Sequence, residues 1–209
     1  MKKLLMLPVL LTAVSVPAMA DVKWFVGGGL GYAEPAFSDA VNDLIDDHVF
    51  KDESGTLNFS LMGGMRFGEQ KKIYNGGVSA NYSYMSDLGH LKEDYNSAYY
   101  IDATLDFSTM YFAYDNYIRV SGDAKYRTDF VASFGLGMGW IKEDLVSGSY
   151  FESYEDDGLV FVMKFGFTGE TVVEGLGWYA SMNLVIPNTD EDHDFQGAGS
   201  FDVGVKYTF

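Results

Sequence analysis

Seven charged side chains lie in stretches that are otherwise uncharged or nearly so: Lys23, Arg66, Asp102, Asp106, Lys164, Asp202 and Lys206. Around each, apolar residues recur at every second position, and the charge falls between them. Alternation at period two marks a strand with one apolar and one polar face, so all seven are expected on polar faces. Four cations set against three anions allow two kinds of chemistry. They can form a charge filter for permeating ions, or they can pair and fill the space between strands. A charge shut away from bulk water persists only when paired or hydrated, so a narrow enclosure favours pairing.

Other candidates are weaker. The acidic run Asp190–Asp194, DEDHD, invites comparison with a calcium loop. A helix–loop–helix calcium site needs glycine at its sixth position and glutamate at its twelfth. Counted from Asp190, those positions hold Phe195 and Phe201, so what remains is a looser surface site for a divalent cation or a solvated acidic loop. The histidines, His48, His90 and His193, are all expected in loops, and His193 lies between Asp192 and Asp194. Surface hydrolysis would need a nucleophile, a base and an acid converging at one place, and no strand carries a His-x-Ser pattern. Cysteine is absent, which excludes disulfides and thiol chemistry. No cofactor is implied, and no catalytic or metal-ligating set emerges. Ser38–Phe50 places Val41, Leu44, Ile45 and His48 or Val49 at helical spacing behind a Ser38 N-cap. It is expected to be a short helix, either a lid or a partner-binding element.

The elements that must position these residues are strands. Alternation predicts them at Val22–Ala33, Thr56–Phe67, Tyr74–Met85, Phe130–Trp140, Leu159–Thr168, Gly177–Ile186 and the terminal Phe201–Phe209. An eighth begins at Tyr99, where Tyr99, Ile101, Ala103, Leu105 and Phe107 oppose Asp102, Thr104 and Asp106. Its phase then conflicts with Met110, Phe112 and Tyr114, which suggests a bulge near Ser108. Long connections are expected at Glu34–Gly55, Ser86–Ser97, Ile141–Gly158 and Pro187–Gly197, and short ones between them, as at Gly68–Ile73 and Gly169–Leu176.

The chain's 209 residues carry a net charge of −16, 16% aromatics and 24 glycines. Met1-Lys2-Lys3, the apolar run from Leu4 to Val16 and Ala18-Met19-Ala20 form a signal-peptide pattern, so residues 1–20 are expected to be removed. Residues 21–209 are then one domain with a charge of −18. Such an acidic chain is unsuited to nucleic acid, whose phosphates require Lys and Arg.

Eight alternating strands fit a soluble barrel with its apolar face inward, or a membrane barrel with that face toward lipid. Aromatics toward both strand ends, as at Trp24 and Tyr32, favour lipid, as does a glycine-rich opposite face at Gly27, Gly29, Gly31, Gly135, Gly137 and Gly139. Most acids fall in the long connections, whereas Lys71, Lys72, Arg119, Lys125 and Arg127 cluster at short turns. The expected fold is therefore all-β, an eight-stranded antiparallel up-and-down transmembrane β-barrel. "FDVGVKYTF" at the end of the chain, "WFVGGGLGY" at Trp24–Tyr32 and "SFGLGMGW" at Ser133–Trp140 resemble strands of the eight-stranded outer-membrane barrels of Gram-negative bacteria. These are the barrels of the OmpA, OmpX and Opa/NspA kind, often called porin-family proteins. The resemblance implies an outer-membrane location, contact with its lipid, and a terminal strand read by the assembly machinery through Phe201, Val203, Val205, Tyr207 and Phe209. It also implies a non-enzymatic structural or surface-interaction role, with acidic loops outside that meet a ligand or divalent cation. A small-solute channel is the alternative, and a lipid-modifying enzyme a third.

Overall fold

The computed structural model describes residues 22–37, 51–52, 55–68, 72–95, 99–122, 126–147, 150–188 and 195–209. The signal-peptide pattern, the Ser38–Phe50 helix and the Asp190–Asp194 run lie outside the described residues. Nine strands follow in order: β1 Val22–Phe37, β2 Lys51–Asp52, β3 Thr56–Phe67, β4 Tyr74–Tyr95, β5 Tyr99–Ser121, β6 Thr128–Ser147, β7 Tyr150–Glu170, β8 Leu176–Pro187 and β9 Phe195–Thr208. Apart from the two-residue β2, each pairs antiparallel on both sides, and the β1–β9 and β4–β5 ladders complete a closed eight-stranded barrel. Closure leaves no open backbone edge within the wall, which lipid demands.

The register fixes the barrel's shape. Followed round the wall from Trp24 through Met65, Val78, Tyr114, Phe134, Met163, Leu184 and Gly199, it returns to β1 at Glu34, ten residues along. With ~3.3 Å per residue and ~4.8 Å between strands, that stagger tilts the strands by about 40°. Eight strands at this tilt enclose an interior that side chains can fill.

The starts of β1, β4, β6 and β8 and the ends of β3, β5, β7 and β9 share one end of the barrel, termed the inner end. The outward face is an apolar band. Leu61, Phe134, Leu136, Phe161 and Val203 lie in its middle and are exposed. Trp24, Tyr74, Trp178 and Tyr207 mark its inner border, and Tyr32, Tyr84 and Trp140 its outer one.

Two expectations are corrected. The segments read as the long connections Ser86–Ser97 and Ile141–Gly158 are largely strand, because β4 continues to Tyr95, β5 starts at Tyr99, and β6 and β7 pair from Ser147↔Tyr150 inward. Beyond the band both faces of a strand meet water, so apolar alternation disappears although the hydrogen-bonded ladder continues. The bulge lies on β4, not β5. Three residues between Met85 and Gly89 oppose Asp106 alone, with Asp87 at φ 57°. β5 keeps one register with β6 from Ile101 to Arg119, hence one phase. Met110, Phe112 and Tyr114 face outward, while Leu105, Phe107, Thr109, Tyr111, Ala113, Asp115 and Tyr117 are buried inside.

Candidate functional site: the filled lumen

The inner half of the lumen is ionic. Arg66 on β3 reaches across to β6, where its Nη1 donates to Asp129 Oδ2 at 2.8 Å. Arg127, just ahead of β6, donates from Nε to Asp129 Oδ1 at 2.5 Å. One carboxylate thus bridges two guanidiniums, the charge-assisted geometry that makes a buried pair tolerable. The Arg66 guanidinium also lies 4.4 Å from the centre of the Tyr117 ring, a cation–π contact. Asp115 accepts from Ser133 Oγ at 2.6 Å and from the Tyr117 hydroxyl at 3.4 Å. Lys206, Arg66, Tyr117, Lys23 and Glu170 surround a cavity of about 20 Å³.

At mid-height the groups are polar. Asp202 on β9 accepts from the side-chain amides of Asn58 and Asn183, each at 2.5 Å. Lys164 Nζ donates to Asn81 Oδ1 at 3.3 Å, and the Tyr179 hydroxyl lies 3.1 Å from Ser60 Oγ. The tyrosine rings lie flat against the wall where glycine leaves room. A Cβ at Gly204 would sit 2.5 Å from the Tyr179 ring, and one at Gly135 would sit 2.6 Å from the Tyr111 ring. Cavities of about 40 Å³ beside Lys164 and Lys206, and 20 Å³ beside Asp202 and Tyr111, hold a few waters at most.

Apolar side chains close the outer mouth. Ala33, Met85, Leu88, Leu105, Phe107, Ile141, Val160, Val162, Val185, Phe195 and Ala198 form one buried cluster with Tyr111 and Ala113. The Phe107 and Phe195 rings meet edge to face, 4.9 Å between centres.

Of the seven charges singled out by alternation, Arg66, Lys164, Asp202 and Lys206 point into the lumen, and Lys23 lines its inner mouth. Asp106 does not join them. It lies on the outward side of β5, accepting from the Tyr84 hydroxyl at 3.3 Å and from the Asp87 amide at 2.7 Å. Asp102 shares that outward parity, since β5 has no shift between the two. The error has a physical cause: Leu105 and Phe107 are apolar because they plug the mouth, not because they face lipid. The acid that pairs with lumen cations is Asp129, and Asp115 lines the same cavity as Lys164 and Lys206; both acids are fully buried. Extending the β6 alternation one residue before Phe130 would have found Asp129. Carrying the Met110–Tyr114 phase along β5 would have found Asp115.

Phe201, Val203, Val205, Tyr207 and Phe209 all point outward and are exposed. Phe209 is held by its amide, which donates to the Trp24 carbonyl at 2.8 Å, and by an edge contact with the Tyr207 ring at 5.1 Å.

Ail, the attachment invasion locus protein of Yersinia pestis, superimposes with a TM-score of 0.55 over 90% of this chain and 99% of Ail, at 14% identity. The fold is that of the eight-stranded outer-membrane β-barrels. A second Ail structure, in complex with the heparin analogue sucrose octasulfate, gives 0.52 over the same shares at 13% identity. Neisserial surface protein A aligns over 89% of this chain and 97% of its own at TM-score 0.46 and 10% identity. No protein-family model and no curated protein matches the sequence. Outer-membrane barrels in general present an apolar band to lipid, longer connections to the outside and short turns to the periplasm.

Proposed function

We propose that this outer-membrane barrel is a non-enzymatic anchor that displays an acidic surface for interaction outside the cell. The observation that carries this reading is the lumen: ions paired at the inner end, aromatics and aliphatics at the outer, and cavities of only about 20 to 40 Å³ between them. Such an interior supports neither a solute path nor a substrate pocket. The buried acids Asp115, Asp129 and Asp202 are each engaged by neighbouring donors, which leaves them unsuited to acid–base turnover. A divalent cation would be met by the acidic run Asp190–Asp194.

Ligand chemistry follows from charge. Ail was crystallised with a polysulfated heparin analogue. A net charge of −16 repels sulfates, so for this chain the reading is a cationic ligand or a divalent cation. The remaining partners are outer-membrane lipid along the apolar band and the assembly machinery at the terminal strand. Because the chain has no cysteine, single-cysteine variants test the display directly. Glu152→Cys should react with an impermeant maleimide on intact cells, and Glu174→Cys only after the outer membrane is permeabilised. The reverse pattern would overturn the reading.

A further inference from the structure

One cavity of the lumen, about 40 Å³ in volume, is lined by more donors than the wall can satisfy. Lys164 and Thr168 of β7, Tyr179 and Ser181 of β8, Lys206 of β9 and Asp115 of β5 border it. Lys164 is 9% exposed and Ser181 7%. The Lys206 stem runs over its register partner on β8, Gly177, where a Cβ would come within 3.0 Å of the lysine Cε. Glycine at that position therefore lets the stem lie flat and its ammonium stay inside the wall.

Each donor can be followed to its acceptor. The Thr168 hydroxyl donates to the Trp178 carbonyl at 2.9 Å, and the Tyr179 hydroxyl pairs with Ser60 Oγ at 3.1 Å. Lys164 Nζ has three N–H groups and one long bond, 3.3 Å to Asn81 Oδ1. Among the described residues, neither the Lys206 ammonium nor the Ser181 hydroxyl makes a hydrogen bond or ion pair. The one acid on the cavity, Asp115, is engaged by Ser133 and the Tyr117 hydroxyl, and it forms no ion pair with either lysine. Buried donors ordinarily find partners, and an ammonium drawn away from water needs a counter-charge. The lumen as a whole does not supply it: Arg66, Arg127, Lys164 and Lys206 stand against Asp115, Asp129 and Asp202. Arg119, beside Asp129 in the register, only adds to the positive excess. At the inner mouth Lys23 and Glu170 offset each other.

We propose that a halide ion, chloride under ordinary conditions, is held between Lys164 and Lys206 with the Ser181 hydroxyl as a third donor, as part of the folded barrel. A spherical anion little larger than water suits both the volume and donors arriving from several directions. Phosphate or a carboxylate metabolite is too bulky for it. A second cavity, about 20 Å³ and bordered by Lys206, Arg66 and Lys23, gives a cationic approach from the inner end, while the apolar cluster shuts the outer one. The site is therefore blind: it binds an anion without passing it, and it stands independently of the surface-interaction reading.

The test uses the full barrel folded in detergent, with bromide as the scattering probe. An anomalous difference map from crystals grown in sodium bromide should place one bromide between Lys164 Nζ and Lys206 Nζ. In solution, the unfolding midpoint, read by heat-modifiable gel mobility, should rise with sodium chloride and not with sodium gluconate of equal ionic strength, because gluconate is too large to enter. The chloride dissociation constant fitted to that rise should increase about tenfold or more in Lys206→Met and decrease in Asp115→Asn, which removes the cavity's acid. A midpoint that follows ionic strength alike in both salts would overturn the proposal, as would an unchanged constant in Lys206→Met. If Lys206→Met does not fold, the bromide map of the parent decides: water between the two lysines, with bromide only on the outer surface, overturns the site.

Discussion

The two ends of the lumen are closed by opposite means. At the inner end Asp129 bridges Arg66 and Arg127, and Asp115 gathers Ser133 and Tyr117. At the outer mouth Phe107, Phe195 and their aliphatic neighbours exclude water by packing alone. The ionic end is specific and brittle, because every charge depends on a partner in a medium that screens poorly. The apolar end is tolerant of shape but not of lost volume. Both seal the same barrel, and each should fail in its own way.

The largest effect should come from Asp129→Ala. It removes the carboxylate that two guanidiniums share and should destabilise the barrel by about 3–5 kcal/mol in urea titrations from lipid vesicles. Replacing Asp129, Arg66 and Arg127 together with leucine and methionines should recover most of that loss, since removing a whole buried ion set costs little. If the triple variant is as damaged as the single one, the cluster contributes through something other than charge balance. At the mouth, Phe107→Ala should cost about 3 kcal/mol and Phe107→Leu less than about 1.5 kcal/mol. A polar residue of similar size tolerated at Phe107 would show that the mouth is wet.

The wall offers a control of intermediate size. Arg at Phe134 or Leu61, both in the apolar band, should cost about 2–4 kcal/mol near the midplane. Arg at Ser133 would be milder only if the lumen had room. It has none there, since Ser133 is fully buried against Asp115, so damage is expected on both faces for different reasons. Phe209→Ser separates assembly from stability. Phe209 is 70% exposed, so the folded barrel should change by less than about 1 kcal/mol, while the inserted fraction in cells drops. Normal insertion would remove the assembly role proposed for the terminal aromatics.

The smallest effect lies outside the band, on the β6–β7 extension. Lys142 Nζ donates to Asp144 Oδ2 at 2.5 Å. That bond, with one from Ser153, holds the Asp144 carboxyl below its usual value, and it holds the Lys142 ammonium above its own. The carboxylate's contribution is therefore present above the ordinary carboxylate range and fades as pH falls through the lowered value. The ammonium's contribution is present below the ordinary lysine range and fades as pH rises through the raised value. Both groups meet water, so stability between these limits should not register the pair. A carboxyl-resolved NMR titration should instead show Asp144 moving up in Lys142→Ala.

Strand count, closure and the facing of the wall were legible because lipid imposes a strict alternation on seven of the eight long strands. Legibility failed where that constraint ended. The β4–β5 and β6–β7 extensions meet water on both faces, so Ser86–Ser97 and Ile141–Gly158 resembled loops. β5 misled for a subtler reason. Its outer part is apolar toward the lumen, and Leu105 and Phe107 therefore imitated a lipid face and turned Asp102 and Asp106 to the wrong side. Of the ionic cluster, Arg66 was visible from alternation alone, whereas Asp129 lay one residue before the expected strand and Asp115 beyond the supposed bulge.

The most direct test is conduction. Purified barrel in a planar bilayer, under symmetrical salt and applied voltage, should pass no steady current, because the cavities between the ionic end and the apolar mouth measure only about 20 to 40 Å³. Asp129→Ala should add brief, irregular openings as water enters where the shared carboxylate was. A large, stable, ion-selective conductance from the unaltered protein would contradict the filled lumen and make the barrel a channel.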